Sequence, residues 1–226
     1  MSTDPIFTHS VLDWYAKHKR NMPWRDSGDP YKIWISEIML QQTQVDQAWP
    51  YFERFIEKFP TIFDLAGAGQ QQVMKVWEGL GYYSRARNLH AAAQTIVSDY
   101  DGNLPENYDE IIKLKGIGPY TAAAISSIAF GKANAVVDGN VKRVITRYFG
   151  IEEDVRTSKT AKMVQQYVDE LISNEHPAEF NQGLMEIGSV VCKPSNPNCN
   201  QCPVHTGCVA SKMAKTDVIP YKSPAK

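Results

Sequence analysis

The sequence of 226 residues predicts an all-α fold, and three observations support that prediction. Apolar residues recur every three or four positions over most of the chain, as on the buried face of an amphipathic helix. Proline residues and an Asp-Gly pair fall where these runs end. No long segment alternates apolar and polar side chains, which is the pattern of a half-buried strand. With 43% hydrophobic residues, the chain can bury one sizeable core or two small ones.

The helical spacing is clearest in three runs, at positions 86–100, 161–172 and 180–191. The residues that mark the predicted helix boundaries are Pro23, Asp29-Pro30, Pro60, Asp101-Gly102, Pro105, Pro177 and Pro220. Pro50 is expected in the first turn of a helix, where its missing N–H group costs nothing. The segment 220–226 has the composition of a linker.

Hydropathy and charge exclude several classes of protein. No apolar run reaches the roughly 18 to 20 residues that cross a bilayer, and the N-terminus lacks the pattern of a signal peptide. We therefore expect a soluble cytoplasmic protein with no membrane partner. The formal net charge of −1 argues weakly against nucleic acid. Three basic groups, at 17–25, 85–90 and 142–147, would still form a phosphate-binding surface if they folded onto one side.

Residues 114–122 place Gly116 and Gly118 between two predicted helices. Glycines two positions apart permit a tight reversal with positive φ. The backbone N–H groups that open the second helix, which runs from Tyr120 to Phe130, would then point outward and bind a phosphate without reading base sequence. An ordinary helical hairpin is the alternative. The segment resembles the helix-hairpin-helix element of DNA-repair and replication proteins.

All four cysteines fall within the last 35 residues, as Cys192, Cys199, Cys202 and Cys208. In a reducing compartment this clustering favours a metal site over disulfides. Four thiolates can hold zinc or a [4Fe-4S] cluster, and ligand chemistry alone leaves both open. A zinc ribbon usually has two Cys-x2-Cys steps, whereas this chain has one.

The cysteine spacing, following a helix-hairpin-helix, resembles the cluster loop of the endonuclease III superfamily of DNA glycosylases. Within it the chain resembles the MutY family of adenine DNA glycosylases, at residues 22–25, 34–45, 79–89, 137–143 and 180–183. The resemblance implies a [4Fe-4S] cluster and two helical domains with a cleft between them. They are a six-helix barrel with the hairpin, 22–132, and a cluster domain made of 1–21 and 133–226. We expect the catalytic portion only, without the C-terminal domain by which MutY proteins recognise 8-oxoguanine.

The resemblance assigns opposite duties to two carboxyl groups. Glu37 corresponds to the general acid that protonates the departing adenine, and its apolar sequence neighbours should raise its pKa. An exposed helix carboxylate is the alternative. Asp138 corresponds to the carboxylate that stabilises the oxocarbenium-like sugar, and it is also well placed to cap the helix that follows. Asn140 corresponds to a residue that hydrogen-bonds the catalytic groups.

Tyr120 indicates a glycosylase that does not cut the strand. Members of the superfamily that do so place a lysine at this position to form a Schiff base, which a phenol cannot form. Gln42 and Tyr82 are expected to enter the base stack, and Gly116, Gly118 and Lys142 to contact DNA. The residues expected to line the adenine pocket are Trp24, Arg25 and Gln182. For the aromatic side chains, core packing is the alternative.

The resemblance implies removal of adenine mispaired with 8-oxoguanine or guanine in double-stranded DNA, and we expect a monomeric bacterial enzyme. A thymine or uracil glycosylase acting at G mismatches is the alternative, since short relatives share Tyr120, Asp138 and the cysteine loop. Gln182 and the run 39–43 favour adenine. A third possibility is a non-catalytic DNA-binding module with a structural metal, against which the presence of both Glu37 and Asp138 argues.

Overall fold

The structure is a computed structural model that describes residues 4–25 and 27–224, and every regular element in that part of the chain is helical. The α-helices are α1 (Pro5–His18), α2 (Pro30–Leu40), α3 (Val45–Lys58), α4 (Ile62–Gly67), α5 (Gln70–Val76), α6 (Ser84–Asp99), α7 (Tyr108–Ile111), α8 (Pro119–Phe130), α9 (Gly139–Phe149), α10 (Ser158–Leu171), α11 (Pro177–Val190) and α12 (Val209–Lys212). Short 3-10 turns occupy Cys199–Gln201 and His205–Gly207. The predicted all-α fold is confirmed.

The chain divides into two compact units, of which one is continuous and runs from Asn21 to Phe130. Its core is built on α2, α3, α6 and α8 and includes the fully buried side chains of Trp34, Phe55 and Trp77. Ala122 and Ala124 are also buried, so α8 can lie close to its neighbours. This unit carries the hairpin.

The second unit combines the chain before Asn21 with the chain from Gly131 onward. Within it α1 packs against α11, where Gly183 allows the two helices to approach. A Cβ atom at Gly183 would lie 2.9 Å from Cβ of Tyr15, closer than real contacts allow. Phe7 and Phe180 are buried in the same core. This unit carries the cysteines.

Helix boundaries follow the predicted residues in several places. The Asp29 carboxylate accepts a hydrogen bond from the Tyr31 amide (2.9 Å), and Pro30 opens α2. Pro177 opens α11 in the same way. The reversal after α6 uses positive φ at Asp101 (52°) and Gly102 (78°). A proline at the first helical position loses nothing by lacking an N–H group, because that group would have no helical partner there. These helix starts were therefore predictable.

Pro50 does not lie in a first helical turn, so that prediction is wrong. Helix α3 begins at Val45, and Pro50 is inside the helix. Ala48, Phe52 and Phe55 form its buried face, and their burial outweighs the one backbone hydrogen bond that the proline cannot make. Pro50 itself is exposed.

The segment predicted as a linker is anchored over residues 219–223. Arg147 Nε donates to the Ile219 carbonyl (2.8 Å), and the Val155 amide donates to the Tyr221 carbonyl (3.1 Å). Arg156 donates to the Ser223 carbonyl. Residues 225 and 226 of this segment lie outside the described residues. Donors distant in sequence, two of them arginine side chains, therefore hold a segment whose own composition is that of a loop.

No helix in the described part of the chain combines the length and the apolarity needed to span a membrane.

Candidate active site

The carboxyl group of Glu37 is buried in the unit that runs from Asn21 to Phe130. Glu37 lies on α2 and is only 7% exposed, between Ser36 and Ile38, which are also buried. The alternative of an exposed helix carboxylate therefore does not hold. A buried carboxyl group needs hydrogen-bond partners, because its desolvation is costly.

Tyr120 supplies one of those partners. It lies in the first turn of α8, and its hydroxyl group is 3.3 Å from Oε2 of Glu37. Gln41, just beyond the end of α2, donates through Nε2 to the Thr121 hydroxyl (3.0 Å). Two side-chain contacts thus fix the end of α2 against the start of α8, and the structure brings the predicted pair Glu37 and Tyr120 together.

The hairpin between α7 and α8 uses its two glycines differently. Gly116 has φ +82°, and a Cβ atom there would lie 2.6 Å from Cβ of Asn88. The φ of Gly118 is not positive, and no atom lies within 4 Å of the position of its Cβ. Gly116 is therefore required by the fold, whereas at Gly118 the missing side chain leaves open space outside the protein. The prediction of positive φ holds for Gly116 alone.

The two residues expected to enter the base stack lie at exposed loop tips. Gln42 follows α2 with φ +57°, and Tyr82 precedes α6 with φ +48°. Tyr82 is 59% exposed. Core packing is therefore not the role of its ring, and both side chains are available to a ligand.

Trp24 lies in the core, which was the alternative for this ring. It is 5% exposed, and its ring meets Trp49 (5.9 Å between centroids) and Phe52 (5.1 Å) edge to face. Arg25 is half-buried, and its amide donates to the Met22 carbonyl (3.0 Å). These contacts fix the chain that leads into α2.

Asp138 caps α9 in the second unit, as predicted. One carboxylate oxygen, Oδ1, accepts from the Val141 amide (2.7 Å), and Oδ2 accepts from Asn140 Nδ2 (2.8 Å). Asn140 Oδ1 in turn accepts from Arg143 Nη2 (2.8 Å). Arg143 Nε donates to the Cys192 carbonyl (2.6 Å). An unbroken chain of hydrogen bonds therefore runs from the Asp138 carboxylate to the cysteine loop.

Two further predicted residues lie in the same unit. Gln182 is half-buried on α11, and its Nε2 donates to the Ala178 carbonyl one turn earlier (3.2 Å), which leaves its carbonyl oxygen as an acceptor for another group. Lys142 lies in the first turn of α9 and lines a surface groove with Arg143, Arg156 and Lys222. The groove concentrates positive charge beside the Asp138 cap.

The cysteine loop is a succession of tight turns around one cavity. The amides of residues 202, 205 and 208 each donate to the carbonyl three residues earlier, at 3.0 to 3.1 Å. All four cysteines line one cavity, together with Arg147 and His205. In the described part of the chain, no group of three or more His, Cys, Asp or Glu side chains is arranged to hold a single metal ion.

The surroundings of the thiols favour a cationic partner. Burial, together with the charges of the other three cysteines, raises the pKa of Cys202 to about 12. Burial also raises the pKa of Cys208. Thiols in such a place become thiolates only when a metal supplies positive charge. Arg147 Nη1, 3.4 Å from Cys192 Sγ, also places a positive charge beside these thiols.

Charge patterning did not identify the role of three arginines. Arg85, Arg143 and Arg147 belong to groups predicted as basic surface, yet each donates hydrogen bonds to main-chain carbonyls, and Arg85 and Arg147 are buried. Helical phase carries a signal for Arg85, since it lies four residues before the buried Leu89 and on the same face of α6.

Comparison with known proteins shows which families this chain is similar to. Residues 35–174 match the family model described as HhH-GPD superfamily base excision DNA repair protein. The adenine DNA glycosylase of Buchnera aphidicola subsp. Baizongia pistaciae is 41% identical over 207 residues, which cover 91% of this chain and 58% of that protein. The human adenine DNA glycosylase is 40% identical over 220 residues, which cover 93% of this chain and 40% of that protein. The chain thus spans less than two thirds of the length of either relative.

A solved structure is similar over nearly the whole chain. It is described as a thermostable thymine-DNA glycosylase and matches with a TM-score of 0.84 at 31% identity. The match covers 92% of this chain and 96% of that chain. The relatives similar in sequence are adenine DNA glycosylases, whereas the similar solved structure is a thymine-DNA glycosylase. The residues of the site must therefore decide which base is removed.

Proposed function

This chain belongs to the HhH-GPD superfamily of base excision DNA repair proteins, and we propose that it excises adenine paired with 8-oxoguanine or guanine in duplex DNA. It acts as a monomeric DNA N-glycosylase of the bacterial cytoplasm. The observation that carries the proposal is the buried Glu37 carboxyl group beside the Tyr120 hydroxyl. A buried carboxylic acid can keep a proton to donate.

Glu37 is the general acid of the reaction. The bond between N9 of adenine and C1′ of the sugar breaks, and its electron pair stays with the base. Glu37 transfers its proton to N7, so adenine leaves as a neutral molecule. Water then adds to C1′ and gives up one proton to the Glu37 carboxylate, which leaves an abasic site and restores the acid. Because Tyr120 has no amine, no Schiff base forms and the strand stays intact.

Asp138 stabilises the positive charge that develops on the sugar. Its carboxylate accepts two hydrogen bonds at the N-terminus of α9, which favours the ionised form that this role requires. Asn140 orients it, and Arg143 in turn orients Asn140. Gln182 and Arg25 recognise the flipped base, with Gln182 offering its amide to the adenine edge.

The protein holds DNA through its backbone phosphates. One set of contacts comes from the first amides of α8, which lie behind the open space at Gly118. The Lys142 side chain supplies another. Gln42 and Tyr82 fill the duplex where the base has left, since both are exposed at loop tips.

The four cysteines hold a [4Fe-4S] cluster. All four thiols line one cavity, and the donor set is the one such clusters use. The cluster would tie the loop from 192 to 208 into one piece. We assign it no step of the reaction.

Purified protein and a labelled duplex with a single A:8-oxoguanine pair test this proposal. We expect free adenine and a strand that breaks only after alkali. Glu37→Gln should lower the single-turnover rate by about 10³-fold. Glu57→Gln, on the exposed face of α3, is the matched control and should retain full activity. Excision by Glu37→Gln at the wild-type rate would contradict the assignment of Glu37 as the general acid.

Thymine excision from T:G pairs is the second candidate, because the chain is similar to a thymine-DNA glycosylase structure over 92% of its length. The same assay with a T:G duplex decides between them. Release of thymine without any release of adenine would establish this alternative.

A further inference from the structure

Two exposed loop tips have a backbone conformation that their side chains disfavour. Gln42 and Tyr82 have φ of +57° and +48°, in the left-handed region that glycine normally occupies. Such a conformation persists only where surrounding groups hold it in place.

Arg85 holds the first loop. Its Nη1 atom donates to the carbonyls of Ile38 (3.0 Å), Met39 (2.8 Å) and Gln41 (2.6 Å). The carbonyls of Ile38 and Met39 belong to the last turn of α2, where no helical amide follows to bond them. The guanidinium thus caps the C-terminus of the helix that carries Glu37, and it does so next to Gln42.

The same guanidinium holds the second loop. Its Nη2 atom donates to the Gly81 carbonyl (3.3 Å) and the Leu80 carbonyl (3.5 Å), and on the first loop to the Thr43 hydroxyl (3.3 Å). The guanidinium carbon lies 5.3 Å from the centroid of the Tyr82 ring. One side chain therefore joins the two segments that present Gln42 and Tyr82.

Arg85 is not a surface residue that could bind phosphate. It is 8% exposed, and the acceptors described above are neutral oxygens. Its Nε atom is buried with no hydrogen-bond partner in the described part of the chain. Burial lowers the pKa of Arg85 below its usual value. A buried cation without a carboxylate is costly, so a neutral residue would be expected here if packing alone mattered.

We infer that Arg85 is the positioning residue that sets the separation and direction of Gln42 and Tyr82, the two side chains that fill the duplex when the target base rotates out. The inference rests on the proposed function, which assigns that role to Gln42 and Tyr82. Lysine keeps the charge but has a single nitrogen, so it cannot reach carbonyls of both loops at once.

A double-mutant cycle separates positioning from general damage to the fold. Arg85→Lys should slow single-turnover excision by about 30-fold or more, since a misplacement of about 1 Å can cost as much as 100-fold. In a Gln42→Ala/Tyr82→Ala background, the same substitution should cost about threefold or less, because the groups it positions are absent.

A fluorescence measurement reports on the base rather than on the reaction. With 2-aminopurine in place of the target adenine, wild-type protein at saturation should raise emission as the base unstacks. Arg85→Lys should lose most of that rise while the Kd for the duplex changes about twofold or less. Arg54→Lys, an exposed arginine stacked on Tyr51, is the matched control and should behave as wild type.

Thr43→Val provides a milder second variant in case Arg85→Lys does not fold. It removes one acceptor of Arg85 at the edge of the loop. The excision rate should fall about threefold, and this loss should also be absent from the Gln42→Ala/Tyr82→Ala background.

Equal losses in both backgrounds would overturn the positioning role of Arg85 and leave adenine excision standing. Full activity of Gln42→Ala/Tyr82→Ala itself would overturn the role of the two tips and, with it, that of Arg85. A wild-type protein that releases no adenine would instead contradict the proposed function.

Discussion

A single hydroxyl group separates Tyr120 from phenylalanine, and it lies 3.3 Å from the Glu37 carboxyl group. Because Glu37 is buried, that hydroxyl is worth more there than it would be at the surface. The contact orients the carboxyl group from the start of α8.

Tyr120→Phe tests the contribution of this contact. We expect the single-turnover excision rate to fall by about tenfold, since one hydrogen bond to a buried carboxyl group is lost while the ring keeps its place. Tyr167→Phe, whose ring stacks on Phe149 in the other unit, should leave the rate unchanged. An unaltered rate in Tyr120→Phe would show that other contacts orient Glu37.

Single residues differed in how far the sequence could predict them. The Asp138 cap was predictable because capping depends on the three residues that follow it. The burial of Trp24 was not decided by the sequence, since an aromatic side chain suits a core and a binding pocket equally. Charge patterning places Arg85 in a basic surface group, because an arginine that faces solvent and one that faces carbonyls carry the same charge.

At the scale of elements, we expect opposite effects from alanine substitutions at the two glycines of the hairpin. Gly116→Ala should lower the free energy of unfolding by about 1 to 3 kcal/mol, because φ is +82° and the new Cβ would meet Asn88. Gly118→Ala should leave stability unchanged and weaken duplex binding several-fold, because its Cβ would project into open space. Thermal unfolding and fluorescence anisotropy measure the two effects, and the opposite pattern would refute these roles.

The cysteine loop makes a separate prediction. Cys202→Ser should abolish absorbance at about 400 nm and lower the Tm by roughly 5 °C or more, because the cluster would supply folding free energy to the loop. Ser211→Ala, which removes a partner of His205 beside the same cavity, should keep both properties. A colourless wild-type protein containing zinc would contradict the cluster.

Elements were predictable where local chemistry determines them and not where distant contacts do. The start of α2 follows from Asp29 and Pro30, and the start of α11 follows from Pro177. Helix α3 runs through Pro50 because its buried aromatic face forms a core with other helices. Residues 219–223 are held by Arg147 and Arg156, which are more than 60 residues away in sequence.

At the scale of the whole molecule, the net charge conceals local concentrations of charge. The chain has 24 Lys and Arg residues against 25 Asp and Glu residues. The groove beside the Asp138 cap is nevertheless lined by several basic side chains, including Lys142 and Arg156. The composition predicted helices and a core, but only the fold shows which charges lie together.

Salt dependence of duplex binding tests whether these local charges bind phosphates. We expect log Kd to rise linearly with log salt concentration, and Lys142→Gln to reduce the slope by about 0.9. Lys162→Gln, exposed on α10, should leave the slope unchanged. A slope near zero in the wild-type protein would contradict binding through phosphates.

The neutral partners of Arg85 make the two loop tips insensitive to solution conditions. Carbonyl and hydroxyl oxygens do not titrate, and a buried contact is little screened by ions, so neither acidification nor added salt should loosen the hold on Gln42 and Tyr82. Buffer changes that alter the catalytic carboxyl groups or the phosphate contacts would therefore leave the intercalating geometry constant. A change in rate with pH or salt would therefore come from the carboxyl groups or the phosphate contacts and not from the two loop tips.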